Sequence, residues 1–245
     1  MIRYYCSGFD VNNAFGHGLG EMFKFDLKDT KSVVYIPGGS QKVEKVKTKQ
    51  ASIFDKYFKN AGIEFERSIV IAPDMEPREA QKYVADASFI MLMGGNPFSQ
   101  KEMCEKLGLM AVLQKSGAVM LGFSAGAMLM SKYMIITPCS EEYPDFRIEK
   151  GLNLDGISIY PHNNTNLADY PERLTVDKET WLRKDLIRVS RKYGEYYLIQ
   201  DFKNEKEEND VYDISYLKCK DGRLEVFREN GGKIWMAGKD GVRMI

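Results

Sequence analysis

Four short apolar runs, each closed by turn residues, constrain this chain more than any other feature. Ser32-Val33-Val34-Tyr35-Ile36 ends in Pro37-Gly38-Gly39, and Ser68-Ile69-Val70-Ile71-Ala72 ends in Pro73-Asp74. Phe89-Ile90-Met91-Leu92-Met93 ends in Gly94-Gly95-Asn96, and the run from Ala118 to Phe123 ends at Ser124. The runs are continuous rather than alternating, which is the pattern of strands buried on both faces of a parallel sheet. Helical patterns separate them. Val43, Val46, Ile53, Phe54, Tyr57 and Ala61 form an apolar stripe at helical spacing, with Gly62 placed to cap its end. Segments 77–86, 97–106, 108–115 and 125–133 read as further helices, the first with a proline near its start. This alternation predicts an α/β fold with a doubly wound, mostly parallel sheet. Such sheets bind their ligands at the loops that follow the strands.

The second half is less regular. Segment 157–160 reads as a short strand and 177–193 as an amphipathic helix. From Tyr196 onward the pattern is that of C-terminal β-hairpins, with strands at 196–199, 212–218, 224–228 and 233–237 and turns at Asp221-Gly222 and Gly231-Gly232. The charged run 203–210 reads as a solvated loop. No Pro/Gly/Ser-rich linker divides the 245 residues, so a single α/β domain over 1–245 is expected.

Charge and composition narrow the function classes. Thirty-five basic and 35 acidic side chains cancel, so no global field draws the chain to nucleic acid or to a membrane surface. No run approaches the ~20 apolar residues of a membrane span, and the N-terminus lacks a signal-peptide pattern. Cys6, Cys104, Cys139 and Cys219 follow no metal-binding spacing, and the chain has only two histidines. Reduced thiols in a cytoplasmic protein with no metal or cofactor are therefore expected.

Ser124 carries the chemistry. It sits in Gly122-Phe123-Ser124-Ala125-Gly126-Ala127, where an apolar strand becomes a helix. That is the architecture of a nucleophile elbow, and its small neighbours make room for a strained turn. A serine needs a base, and the one histidine downstream is His162, in Tyr160-Pro161-His162-Asn163-Asn164. His17 lies upstream in the glycine-rich stretch Phe15-Gly16-His17-Gly18-Leu19-Gly20, which reads as a loop without a catalytic role. The interval from Ser124 to His162 is 38 residues, short for an α/β-hydrolase, so a different fold with a similar elbow is expected. Acyl transfer also needs oxyanion donors. The N–H of Ala125 opens the helix, and Gly94-Gly95-Asn96 ends the neighbouring run. Those residues can donate to a substrate or form an ordinary strand-to-helix turn.

Gly94-Gly95-Asn96, Gly122-Phe123-Ser124-Ala125-Gly126-Ala127 and Pro161-His162, in this order and spacing, resemble the peptidase E family of serine peptidases. That family includes aspartyl dipeptidases and has the cyanophycinases as relatives. The resemblance runs from about Ser32 to Tyr197. It implies a flavodoxin-like sheet similar to the class I glutamine amidotransferase domain. It also implies Ser124 as nucleophile, His162 as general base, and Gly95 and Ala125 as the oxyanion hole, with Gly94 and Asn96 beside the substrate. One departure stands out. Aspartyl dipeptidases carry an aspartate about fifteen residues after the nucleophile, where this chain has Cys139 in Thr137-Pro138-Cys139-Ser140-Glu141-Glu142. Glu141 is the replacement expected, with Glu142 next and Asp145 and Asp155 as further candidates; absence of an orienting acid is the alternative, since such an acid is a rate factor on a working Ser-His pair. Selection of an N-terminal aspartate would need a buried cation, and Arg147 and Arg173 lie in predicted loops. The expected activity is hydrolysis of short peptides. Cleavage of other amides or esters, such as β-linked cyanophycin-like peptides, and a silent binding protein of the same fold are the alternatives.

Overall fold

The computed structural model describes residues 1–8, 15–136, 147–162, 178–199, 201–203, 212–229 and 232–245. The centre is a twisted sheet whose parallel part runs β3 (Arg67–Val70), β2 (Ser32–Gly38), β4 (Phe89–Gly95), β5 (Val119–Phe123), β1 (Ile2–Cys6). Three of these strands coincide closely with the apolar runs. The reason is visible in the packing, because successive residues of one strand enter different cores. Val33, Tyr35, Phe89, Met91, Val119 and Leu121 face one layer. Val34, Ile36, Ile90, Leu92 and Met120 face the other.

Helices cover both faces. On the first lie α1 (Gly16–Asp26) and α3 (Ala51–Asn60), which bury Leu19, Phe23, Phe54 and Phe58. This layer is aromatic: Phe23 packs edge-on to Tyr4 and Phe89 with ring centroids 4.9 and 5.0 Å apart. On the second lie α4 (Pro77–Ala85), α5 (Pro97–Lys106), α6 (Met110–Lys115) and α7 (Ala125–Met130). They contribute Val84, Met103, Leu113 and Leu129, so this layer is aliphatic and sulfur-rich. The sheet is thus doubly wound, as the alternation predicts.

Several elements depart from the sequence reading. The stripe 43–61 is not one helix. A 3-10 turn at Ser40–Lys42, α2 (Val43–Lys45) and a π turn at Val46–Gln50 precede α3. The stretch around His17, read as a loop, belongs to α1. Burial of Leu19 and Phe23 on one face outweighs the glycines' low helix propensity. Predicted helix 125–133 stops at Met130, and the chain enters β6 (Tyr133–Ile136), which pairs with β7 (Arg147–Lys150).

The C-terminal strands are present but pair differently from a simple meander. After β8 (Ser158–Tyr160), α8 (Lys178–Tyr193), β9 (Tyr196–Ile199) and β10 (Asp201–Lys203), strand β11 (Tyr212–Lys220) runs antiparallel to β1 and extends the central sheet. It turns through Asp221-Gly222, both at positive φ, into β12 (Arg223–Glu229), as the hairpin signal predicts. By contrast, β13 (Ile234–Gly238) pairs with β9 and β14 (Gly241–Met244) in a second sheet of order β14-β13-β9-β8. There Ala237 and Leu198 pack on Leu186 and Val189 of α8.

A buried ion pair ties this second unit to the first strand. Arg3 of β1 donates to the Asp155 carboxylate at 2.6 Å and to the Leu154 carbonyl at 3.1 Å. Tyr5 donates its hydroxyl to the other Asp155 oxygen at 2.6 Å. Burial first, and the adjacent carboxylate second, push the Tyr5 hydroxyl well above its usual range, so it stays a donor. Arg3 and Asp155 are only 5% and 10% exposed, and removing one partner leaves an uncompensated buried charge. Asp155→Ala is therefore expected to lower unfolding stability by about 3–5 kcal/mol, read from chemical denaturation.

Candidate active site

Ser124 follows the last residue of β5 and precedes α7. Its backbone stands at φ 51°, ψ −117°, a conformation that costs an L-residue free energy. Two main-chain bonds hold it there. Its N–H donates to the Cys6 carbonyl at 3.0 Å, and its carbonyl accepts from Met128 N–H at 3.1 Å. The result is a half-buried hydroxyl at the carboxyl edge of the parallel sheet, where the apolar run ends.

The flanking glycines are required by contact. A Cβ on Gly126 would lie 1.9 Å from the Leu92 carbonyl oxygen, because α7 packs directly on β4. Across the edge, Gly95 sits at φ 151° with its α-carbon against Gly38, where a side chain would meet the Gly38 carbonyl at 2.4 Å. Gly94 lies beside the serine: a Cβ there would come 3.5 Å from Ser124 Cβ and 3.0 Å from the Phe123 ring. Asn96 uses its side-chain oxygen as a helix cap, accepting from the N–H groups of Phe98 and Ser99 at 3.0 and 3.1 Å. The cap and the Asn96 N–H bond to the Gly38 carbonyl (2.8 Å) fix the loop that carries Gly94 and Gly95.

His162 reaches the same place from the other sheet. It follows β8 and buried Pro161, and its imidazole Nε2 lies 2.7 Å from Ser124 Oγ. The strand before it is tied to α7. Ser131, at the end of that helix, donates to the Ala127 carbonyl at 2.8 Å and accepts the Ile159 N–H at 3.0 Å. One short helix thus has the serine at its start and the histidine's strand at its end. An imidazole nitrogen within hydrogen-bond distance of a hydroxyl is the arrangement that lets a serine lose its proton during attack on a carbonyl.

Comparison with known proteins gives the family and the fold. A model of peptidase family S51 matches residues 6–181, the segment that runs from the last residue of β1 through the elbow and His162. The chain belongs to peptidase family S51. It is accordingly a serine-type peptidase of the peptidase E family. Among solved structures the chain is similar to a peptidase from an acI-B1 Actinobacterium, with a TM-score of 0.65 and 16% identity over 100% of this chain and 93% of that one. It is also similar to a candidate peptidase E protein from Listeria monocytogenes EGD-e, with a TM-score of 0.59 and 17% identity over 94% of this chain and 98% of that one. No curated protein matches the chain significantly.

The acids and cations nominated from the S51 resemblance fare unevenly. Glu141, Glu142, Asp145 and Arg173 lie outside the described residues. Asp155 is engaged with Arg3 and Tyr5. Arg147 is on strand β7 rather than in a loop. It donates to Glu149 at 2.7 and 3.0 Å, and its guanidinium lies 3.6 Å from the Phe98 ring centroid. Glu149, bonded in turn by Lys101, is held below the usual carboxylate range by these cations despite partial burial. Sequence reading passed over Ser7. Its hydroxyl oxygen accepts the His162 backbone N–H at 2.5 Å and stands 3.4 Å from imidazole Nδ1. The sequence carries no signal for it, because Ser7 follows a strand that the apolar pattern does not mark. No helix among the described residues is long and apolar enough to cross a membrane.

The glycine contacts give a first test of the elbow. Gly126→Ala is expected to leave little folded protein or to abolish activity, because the new methyl overlaps the β4 backbone rather than a movable side chain. Comparing soluble yield and thermal melting with Gly117→Ala, where an added Cβ meets nothing within 4 Å and the backbone is not left-handed, separates overlap from loss of glycine flexibility.

Proposed function

We propose that this S51 peptidase hydrolyses short peptides through an acyl-enzyme on Ser124, with His162 as general base and acid. The observation that carries the reading is the 2.7 Å contact between Ser124 Oγ and His162 Nε2 at a strained strand-to-helix turn. Ser124 Oγ attacks the scissile carbonyl carbon while its proton passes to Nε2. The C–N bond then breaks as Nε2 gives that proton to the leaving amine. Water attacks the acyl carbon, loses a proton to Nε2, and the returning proton regenerates the Ser124 hydroxyl. Negative charge on the tetrahedral oxygen is taken by the N–H groups of Ala125 and Gly95. Two features support this. The Ala125 N–H is in the first turn of α7, where no intrahelical acceptor exists. Gly95 is exposed at the end of β4, on the loop that lies against the serine.

The substrate reading is narrower than the fold. Arg147 already serves Glu149 and Phe98, so it is not proposed as the cation for an N-terminal aspartate. Short peptides in general are the proposed class.

A fluorophosphonate probe that labels active serines, together with a panel of dipeptides, tripeptides and aminoacyl-anilides that includes Asp-initiated members, tests the reading. Wild type is expected to be labelled at Ser124 and to cleave members of the panel. Ser124→Ala and His162→Ala are each expected to lose at least on the order of 10³-fold in kcat. Full turnover by Ser124→Ala would overturn the assignment.

A further inference from the structure

We propose that Ser7 is a positioning residue for His162, setting both the ring tautomer and the backbone conformation that aim Nε2 at Ser124. The inference rests on the Ser124–His162 reading above, and it concerns how the base is held rather than what it does.

Three observations converge. Ser7 is fully buried directly after β1, so its hydroxyl is fixed by the sheet and not by solvent. Its oxygen accepts the His162 N–H at 2.5 Å and lies 3.4 Å from Nδ1. Finally, His162 has φ 55°, a left-handed conformation that a residue with a Cβ rarely adopts unless something holds it.

The chemistry follows from the lone pairs. A serine hydroxyl oxygen has two acceptor sites and can take both N–H groups of one histidine, main chain and ring. With Nδ1–H directed at Ser7, the proton is absent from Nε2, and the Nε2 lone pair faces Ser124 Oγ. That is the form able to accept the nucleophile's proton. The opposite tautomer would put an N–H against the Ser124 hydroxyl and leave the nucleophile without a base. Ser7 is neutral, so it orients the ring without adding a negative charge beside it. The residue before it completes the arrangement, since the Cys6 carbonyl accepts the Ser124 N–H at 3.0 Å. Two consecutive residues at the end of one strand therefore register the nucleophile and the base against each other.

The test uses the full-length protein labelled with ¹⁵N-histidine. The chain has two histidines, so His17→Gln leaves the His162 imidazole alone in the spectrum. In this background the Nδ1–H tautomer is expected to predominate. Ser7→Ala, and the nearly isosteric Ser7→Cys, are expected to shift the population toward Nε2–H, and Ser7→Thr, which keeps the hydroxyl, to shift it back. The same variants report on geometry through the rate of fluorophosphonate labelling at Ser124. That rate is expected to fall about ten- to a hundredfold in Ser7→Ala and Ser7→Cys and to recover in Ser7→Thr. Thermal melts identify the variants that fold, and Ser7→Cys, which keeps the volume, serves if Ser7→Ala does not. An unchanged tautomer and labelling rate in a folded Ser7 variant, with Ser124→Ala inactive, overturns the proposal alone. Full hydrolysis by Ser124→Ala overturns the Ser–His reading on which it stands.

Discussion

The hydrogen bond from the Ser124 N–H to the Cys6 carbonyl is the point where sheet and site become one object. It continues the parallel ladder of β1 and β5 by one step, past the pair Cys6–Phe123. Everything that fixes β1 therefore also fixes the serine. β1 is held on one side by β5 and on the other by β11. Its side chains enter both cores, with Tyr4 and Cys6 in the aromatic layer and Tyr5 in the aliphatic one. A residue in such a strand has little freedom to move without breaking a ladder and a layer together.

The same strand reaches the histidine by a second route. Arg3 and Tyr5 hold Asp155, and the chain from Asp155 runs through β8 to His162. A buried ion pair is poor evidence of net stability, because its desolvation offsets much of its attraction. Its geometry is nonetheless specific. One carboxylate satisfies a guanidinium and a phenol on alternate residues of a single strand, which holds the segment before β8 against β1. Asp155 thus bears on the site from a distance, through the strand that leads to His162. That is a different service from orienting the imidazole directly, for which the sequence makes it a candidate.

How much of this was legible in the chain depended on whether a residue's partner was local. β2, β4 and β5 announced themselves because burial on both faces leaves a strand no polar positions. β1 did not, since Arg3 sits in it, and its burial makes sense only once Asp155, 152 residues away, is known. α1 was hidden by its glycines. One of them, Gly20, is needed for close approach, because a Cβ there would lie 2.9 Å from Ala61 Cβ. The pairing of β13 with β9 instead of β12 was equally hidden, because the alternation of a strand says which face is buried but not against which neighbour. Ser124 and His162 were legible because a strained turn restricts its neighbours to small residues and because histidine is rare here. Ser7 carries no such mark. Its contact with His162 joins residues 155 positions apart.

Both members of the pair occupy backbone conformations that residues with side chains avoid, φ 51° at Ser124 and φ 55° at His162. Each such residue costs on the order of 1–3 kcal/mol, and a fold keeps it only where surrounding bonds over-determine it. A typical hydrogen bond returns about 1 kcal/mol net, so one bond per strained residue is too little. Ser124 has two main-chain bonds and the packing of α7 on β4. His162 has the Ser7 hydroxyl, the contact to Ser124, and a strand before it fastened by Ser131 to α7. The strain is therefore spread over bonds that originate in β1 and α7, the two elements that also meet at Ser124. Loosening either element releases both strained residues at once. On this argument the serine and histidine lose their geometry together, and a variant that frees one without the other must act at the side chains, as Ser7→Ala does, rather than in the sheet.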